Sequence, residues 1–286
     1  MRYATVRIGD VTGPAAVRDK RVVPLRGPDW PADLAGLIAA GPMAWREVAA
    51  WCETREARAD EVPLDEVALE APLRPTGFIF TIGENYAPAG ADPDERGDAP
   101  KVFGKLPGSV VGPGASLGWD PELLPLVDYE VELAVVIGQP ARRVPVGSAA
   151  EHVFGYTCLN DIASREDRYD GDQWLLGKSH PSFCPLGPWI VTPDEIGDPH
   201  ALRLRSVLNG EEVQSGSTAQ MRFRIPEIVA YLSRFTELRP GDVIATGTPP
   251  GTGIDRRPPR LLTDGDEIAV EIEGIGSLRN RVDLRA

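Results

Sequence analysis

The chain has 286 residues, with 43 Asp and Glu against 30 Lys and Arg, a formal net charge of −13 and only three cysteines. At this length roughly three quarters of the extended surface can be buried, so no covalent staple is needed. The acidic balance and scattered arginines argue against nucleic acid or anionic lipid as partner. Cys52, Cys158 and Cys184 follow no C-x-x-C spacing, so neither a disulfide framework nor a thiolate metal site is indicated. No apolar run approaches the ~20 residues of a membrane span, and a soluble, cytoplasmic protein acting on a small molecule is expected, with no nucleic-acid or membrane partner.

In chain order, MRYATVRIGD and VRDKRVVPL read as short strands around a turn, and residues 31–60 carry apolar positions at helical spacing with one Gly-Pro break. They suggest a small N-terminal α/β unit over residues 1–70. From residue 71 to 286 the texture becomes many short β-branched runs between Gly and Pro turns. FIFTI, VELAVVI, LRLRSVLN, DVIAT and EIAVEIEGIGSLRNRV are the strand candidates, and IPEIVAYLSRFTEL is the clearest helix, ending before a Pro-Gly-Asp turn. The expected fold class is therefore α+β, mainly β.

The most informative stretch is VDYEVELAVVIG, residues 127–138. As one strand it puts Asp128, Glu130 and Glu132 on a single face, a repulsive arrangement unless a cation or water reaches all three. A solvated edge strand is the alternative. The fully apolar continuation instead points the acidic end toward an interior cleft. Asp161 ends another apolar run, FGYTCLNDIASRED. Oxygen donors from two strand ends suit a hard divalent cation, Mg²⁺ or Mn²⁺, rather than zinc.

In order and spacing, YEVELAVVIG, GYTCLNDIASRED, LGKSHPSFCPLGPWIVT, VLNGEEVQSGSTAQM and LRPGDVIATGTPPGTG resemble the signature blocks of the fumarylacetoacetate hydrolase superfamily, over roughly residues 70–286. The resemblance implies a mixed β-sheet roll, a variable N-terminal domain and a homodimer. It makes Glu130, Glu132 and Asp161 the metal ligands, Lys178 the active-site lysine, and Thr248 a holder of a substrate carboxylate or keto oxygen. Tyr86, beside Asn85 in the Gly-x-Asn-Tyr turn, joins Thr248 and Arg168 as a candidate substrate contact.

A 2-oxo acid or 1,3-dicarbonyl can chelate such an ion, which then stabilises an enolate as it forms. The implied activity is an enzyme acting on a small oxo acid through a metal-bound enolate, with C–C bond cleavage as the leading expectation. Isomerisation or tautomerisation, decarboxylation, dehydration, or a catalytically silent metal-binding relative are the alternatives. Departures from the family pattern argue against ordinary hydrolysis and raise the non-hydrolytic alternative. The loop GENYAPAGADPDE has Ala89 where a lid His is expected and Asp92 where a Glu is expected. Arg168 stands at a usual Gln, and Pro181 at a usual Asp. His180 is the only histidine near enough to Lys178 in sequence to replace the missing base, whereas His152 and His200 read as surface residues. Arg168 also suggests a contact to an extra anionic group.

Overall fold

Most strands follow the β-branched and aromatic runs, because such side chains pack well on a pleated, half-buried surface. The computed structural model describes residues 1–27, 30–54, 61–74, 78–166 and 173–284. Within them a large mixed sheet runs, edge to edge, through Val62–Pro63, Arg21–Pro24, Val11–Arg18, Arg2–Ile8, Cys184–Val191, Val153–Asn160, Val131–Ile137, Val243–Ala245, Ile79–Gly83 and Lys101–Lys105. A second sheet orders Glu211–Ser217, Arg203–Leu208, Glu267–Ile272, Gly276–Val282 and Ser116–Leu117. The architecture is α+β and mainly β, as expected.

The N-terminal strand Arg2–Ile8 pairs antiparallel with Cys184–Val191, Arg2 opposite Val191 and Tyr3 opposite Ile190, so the first residues extend the main sheet. The Gly-Pro break separates two helices, Leu34–Ala39 and Pro42–Thr54.

Alternation along Val131–Ile137 divides the core. Val131, Leu133, Val135 and Ile137 join Leu204, Val270 and Leu278 of the second sheet and Ile228, Val229 and Leu232 of the helix Ile225–Phe235. Ala134 and Val136 meet Leu34, Leu37, Ile38 and Val48 on the opposite face. A strand covered on both faces has to be apolar throughout. Glu132, at its beginning, is therefore an outlier that some local charge or hydrogen bond must compensate.

The expected single strand over VDYEVELAVVIG is broken in two. Val127–Asp128 pairs with Ala163–Ser164, and Val131–Ile137 pairs with Val153–Asn160. Between them the backbone N–H of Glu130 donates to the Asn160 side-chain amide oxygen (3.0 Å) and that of Val131 to the Gln214 amide oxygen (3.1 Å). Side-chain amides thus replace ladder acceptors, and the chain opens where the acidic residues lie.

Gly155, in the strand Val153–Asn160, lies against its neighbour so closely that an added Cβ would sit 2.6 Å from the Val191 carbonyl oxygen and 2.7 Å from Ile190 Cγ2. Gly155→Ala is expected to lower unfolding free energy by about 1–3 kcal/mol, since a packed interior absorbs extra volume only by strain. Urea denaturation measures it, and an unchanged midpoint would refute the tight strand contact.

Candidate active site

Antiparallel pairing sets the start of one strand beside the end of its neighbour. Val131 lies opposite Asn160, so Glu130 and Glu132 meet Asp161, the residue just past that strand. The backbone bond from Asp161 N to Glu130 O (2.9 Å) continues the register. One carboxylate oxygen from each of Glu130, Glu132 and Asp161 lies within 4.8 Å of the others. All three are buried, at 7%, 2% and 0% exposure.

Cations bracket the cluster. Lys178, the last residue of the helix Trp174–Lys178, places Nζ 2.8 Å from Glu130 Oε2 and 2.7 Å from Asp161 Oδ2. Its ammonium also lies over the Phe103 ring, 5.1 Å from the centroid. Lys105, fully buried at the end of an edge strand, donates to Asp161 Oδ1 (2.5 Å) and to the Ile162 carbonyl (2.9 Å). Arg165 donates to Glu130 and, through Nε, to Asp128 Oδ2 at 3.2 Å.

Asp128, expected on the acidic face, has another task. Its carboxylate accepts from the backbone N–H groups of Tyr129 (2.8 Å), Gly253 (2.7 Å) and Ile254 (3.0 Å), clamping the 253–254 turn to the site floor.

Burial opposes ionisation of Asp161, yet Lys105 and Lys178 hold it below the usual carboxylate range. Burial would also favour a neutral amine at Lys178, but Asp161 and Glu130 raise its pKa above the ordinary lysine value, so it stays protonated. Glu132 behaves oppositely. Burial, then the charges of Asp161 and Glu130, push it well above the ordinary glutamate value. Its Oε2 accepts from the Gly247 N–H at 2.7 Å, and it has no ion-pair partner among the described residues. Gly247 is held at φ +98°, and a Cβ there would sit 2.8 Å from the Ile82 carbonyl oxygen, so glycine is what lets this N–H reach the carboxylate.

Four carboxyl groups, Asp128, Glu130, Glu132 and Asp161, thus face three cations, Lys105, Arg165 and Lys178, and Glu132 is the one without a counter-ion among the described residues. An all-oxygen donor set with one carboxyl lacking a counter-ion fits a hard divalent cation.

The cluster opens into a cleft of about 1040 Å³ whose walls include Tyr86, Phe103, Arg165, Trp174, Lys178 and Thr248. Tyr86 is buried near Glu132, and desolvation raises its hydroxyl pKa above the ordinary tyrosine value. The Thr248 hydroxyl donates to the Val131 carbonyl (2.9 Å) and accepts from Gln214 Nε2 (2.8 Å). His180 lies two residues past Lys178, the end of the helix Trp174–Lys178. Its ring packs on Phe183, centroids 5.2 Å apart, beside the apolar cluster of Leu117, Tyr129 and Ile162. Arg168 lies outside the described residues. Ala89 and Asp92 are exposed in the loop that leaves the cleft at Tyr86. That loop is fastened at its far end, where Arg96 donates bidentately to Glu227 (2.6 and 3.0 Å) and to the Arg222 carbonyl, and Arg222 donates to the Glu95 carbonyl.

Sequence reasoning missed Lys105, Arg165, Gln214 and Gly247. Arg165 carried a signal, standing four residues past Asp161 at the end of an apolar run. Lys105 carried none, since one lysine in KVFGKLPGS resembles any surface lysine.

Residues 79–283 match the family model described as fumarylacetoacetate (FAA) hydrolase C-terminal. The chain is similar to the mitochondrial oxaloacetate tautomerase FAHD2A of Homo sapiens, 42% identical over 230 residues, covering 77% of this chain and 71% of the relative. It is also similar to oxaloacetate tautomerase YisK of Bacillus subtilis, 41% identical over 223 residues, covering 77% and 74%. Among solved structures, fumarylacetoacetate hydrolase from psychrophilic Exiguobacterium antarcticum superposes with TM-score 0.87 at 34% identity, covering 100% of both chains. Maleylpyruvate hydrolase from Sphingobium sp. SYK-6, in complex with manganese(II) and pyruvate, gives TM-score 0.81 at 28% identity, covering 99% of each.

The uneven charge distribution separates the two glutamates. Glu130→Gln removes the partner of both Lys178 and Arg165 and is expected to destabilise the metal-free protein by roughly 3 kcal/mol. Glu132→Gln removes an uncompensated charge yet keeps an acceptor for Gly247, and is expected to leave metal-free stability unchanged or raised. Both variants should weaken Mn²⁺ binding. Denaturation in EDTA and Mn²⁺ calorimetry measure these effects, and equal destabilisation by the two would contradict the assignment.

Proposed function

The chain belongs to the fumarylacetoacetate hydrolase family, and on that premise we propose that it is a Mg²⁺- or Mn²⁺-dependent enzyme that interconverts the keto and enol forms of oxaloacetate or a closely similar 2-oxo acid. The observation that carries the reading is the buried Glu130–Glu132–Asp161 cluster, with a protonated Lys178 bound to two of its members and Glu132 left without a counter-charge. Two relatives more than 40% identical, both named oxaloacetate tautomerases, support the choice of reaction.

Glu130, Glu132 and Asp161 would hold the ion. When bound, it would supply a fixed positive charge that favours a substrate oxygen carrying negative charge over a neutral carbonyl. The proton that leaves carbon is exchanged with solvent and an equal proton is gained at oxygen, and the chain's own residues hold and orient the charges around that exchange. Lys178 keeps its proton under the field of Asp161 and Glu130, so it serves as a charge and hydrogen-bond donor rather than a base. Lys105 stays on the far oxygen of Asp161 and keeps that carboxylate ionised. Phe103 and Trp174 provide an apolar wall that strengthens these charges by excluding water. Tyr86 and Thr248 bound the substrate from the other elements that line the cleft. His180 has no role in this reading.

Tautomerisation needs charge stabilisation more than an activated water. The exposed loop position held by Ala89 offers no imidazole to activate one. C–C bond cleavage, the leading expectation from sequence, becomes the second reading, favoured by the structural likeness to maleylpyruvate hydrolase.

Enol absorbance followed after mixing oxaloacetate with the Mn²⁺-supplemented protein is expected to relax faster than in the uncatalysed solution, and EDTA should remove the difference. In heavy-oxygen water the products of an acylpyruvate panel should carry no enzyme-dependent label, whereas label would favour the cleavage reading. Lys178→Met should lower tautomerisation about 10²-fold or more, since one preorganised donor is typically worth that much. Unchanged turnover in that variant would remove Lys178 from the mechanism.

A further inference from the structure

The cations that line the cleft differ in what neutralises them. Arg96 is paired bidentately with Glu227 at 2.6 and 3.0 Å, and Lys101 is paired with Glu84 at 2.6 Å. Arg165 is held by Asp128 and Glu130, and Lys178 by Glu130 and Asp161. Arg222 is the exception. Among the described residues its guanidinium has no carboxylate partner, and its one hydrogen bond goes from Nη1 to the Glu95 backbone carbonyl. Glu95 and Asp255 also line the cleft, yet neither makes an ion pair with it.

A guanidinium has five N–H donors in a rigid fork that matches a carboxylate in two parallel bonds. With one donor used, Arg222 keeps the rest of its fork without a carboxylate partner among the described residues, and the residue itself lines the cleft. The wall is well defined. Arg222 N donates to the Asn85 carbonyl at 2.7 Å, Phe223 N to Asn85 Oδ1 at 2.8 Å, and Tyr86 bridges Met221. The side chain therefore projects from backbone locked to the turn that carries Tyr86, rather than from a free loop.

We infer that Arg222 is a specificity-determining residue that binds the far carboxylate of the substrate, so that the preferred substrate is a dianionic oxo acid with one acidic end at the Glu130–Glu132–Asp161 cluster and the other at Arg222. The inference rests on the proposed oxo-acid activity, which it deepens by naming the charge class of the substrate. The same contact links recognition to the loop, since the guanidinium that binds the anion also holds the Glu95 carbonyl.

Pyruvate and oxaloacetate differ by one carboxylate and form the test pair. In Mn²⁺-supplemented protein, Arg222→Gln is expected to raise the KM for oxaloacetate about 10- to 100-fold, the range for losing a charge-assisted hydrogen bond. The inhibition constant of pyruvate should stay within about twofold, because pyruvate lacks the group Arg222 binds. Arg222→Lys should retain part of the oxaloacetate affinity. Thermal-shift titrations with the same two acids read binding without turnover. No turnover in the wild type would overturn the tautomerase reading alone, and the thermal-shift midpoints would still decide Arg222. An unchanged oxaloacetate KM or midpoint in Arg222→Gln overturns the inference. So does a parallel loss for pyruvate, or a loss selective for oxaloacetate in Arg168→Gln but not in Arg222→Gln.

Discussion

Asp161 is held between two buried ammonium groups, and much of the site's order follows from that contact. Lys105 and Lys178 take its two oxygens from opposite sides, one from an edge strand and one from the end of a short helix. An ionised carboxylate in such surroundings would be prohibitively desolvated without them. With them, Asp161 becomes a fixed negative charge, and Glu130, sharing Lys178, is fixed by the same bond. Only Glu132 is left for an added cation to neutralise. The site thus has a rigid part that folding assembles and one carboxyl, Glu132, that folding leaves without a counter-ion.

A second constraint is the gap between the strands Val127–Asp128 and Val131–Ile137, at residues 129–130. A continuous ladder would have spent the backbone N–H groups of Glu130 and Val131 on a neighbouring strand. Asn160 and Gln214 instead supply the acceptors, and Gln214 also reaches Thr248. One amide side chain therefore ties the second sheet to the acidic segment and to the turn that borders the cleft.

Much of this was legible in the residues and some was not. The runs VELAVVI and DVIAT became strands within a residue of their expected limits, because a strand buried on both faces announces itself by unbroken apolar character. Glu130, Glu132 and Asp161 were recognisable because acids interrupt such runs only where something compensates them. The interruption itself was not legible, since its acceptors come from 30 and 83 residues away. Lys105 escaped for the same reason: only its pairing opposite Ile79 brings it inward. His180 follows two residues after Lys178, past the end of the helix, and its ring packs on Phe183.

The strand Lys101–Lys105 ends the main sheet and, among the described residues, leaves one row of backbone groups without a sheet partner. Open edges of this kind invite pairing with other chains or sliding along their own neighbour. A slip of one residue would swing Lys105 to the opposite face, strip Asp161 of a counter-ion and leave a carboxylate buried against its like-charged neighbours. The penalty would fall on the mispaired state alone. The lysine that orders the Asp161 carboxylate therefore also acts as a register key, discouraging the misalignment to which the exposed margin of the sheet would otherwise be prone.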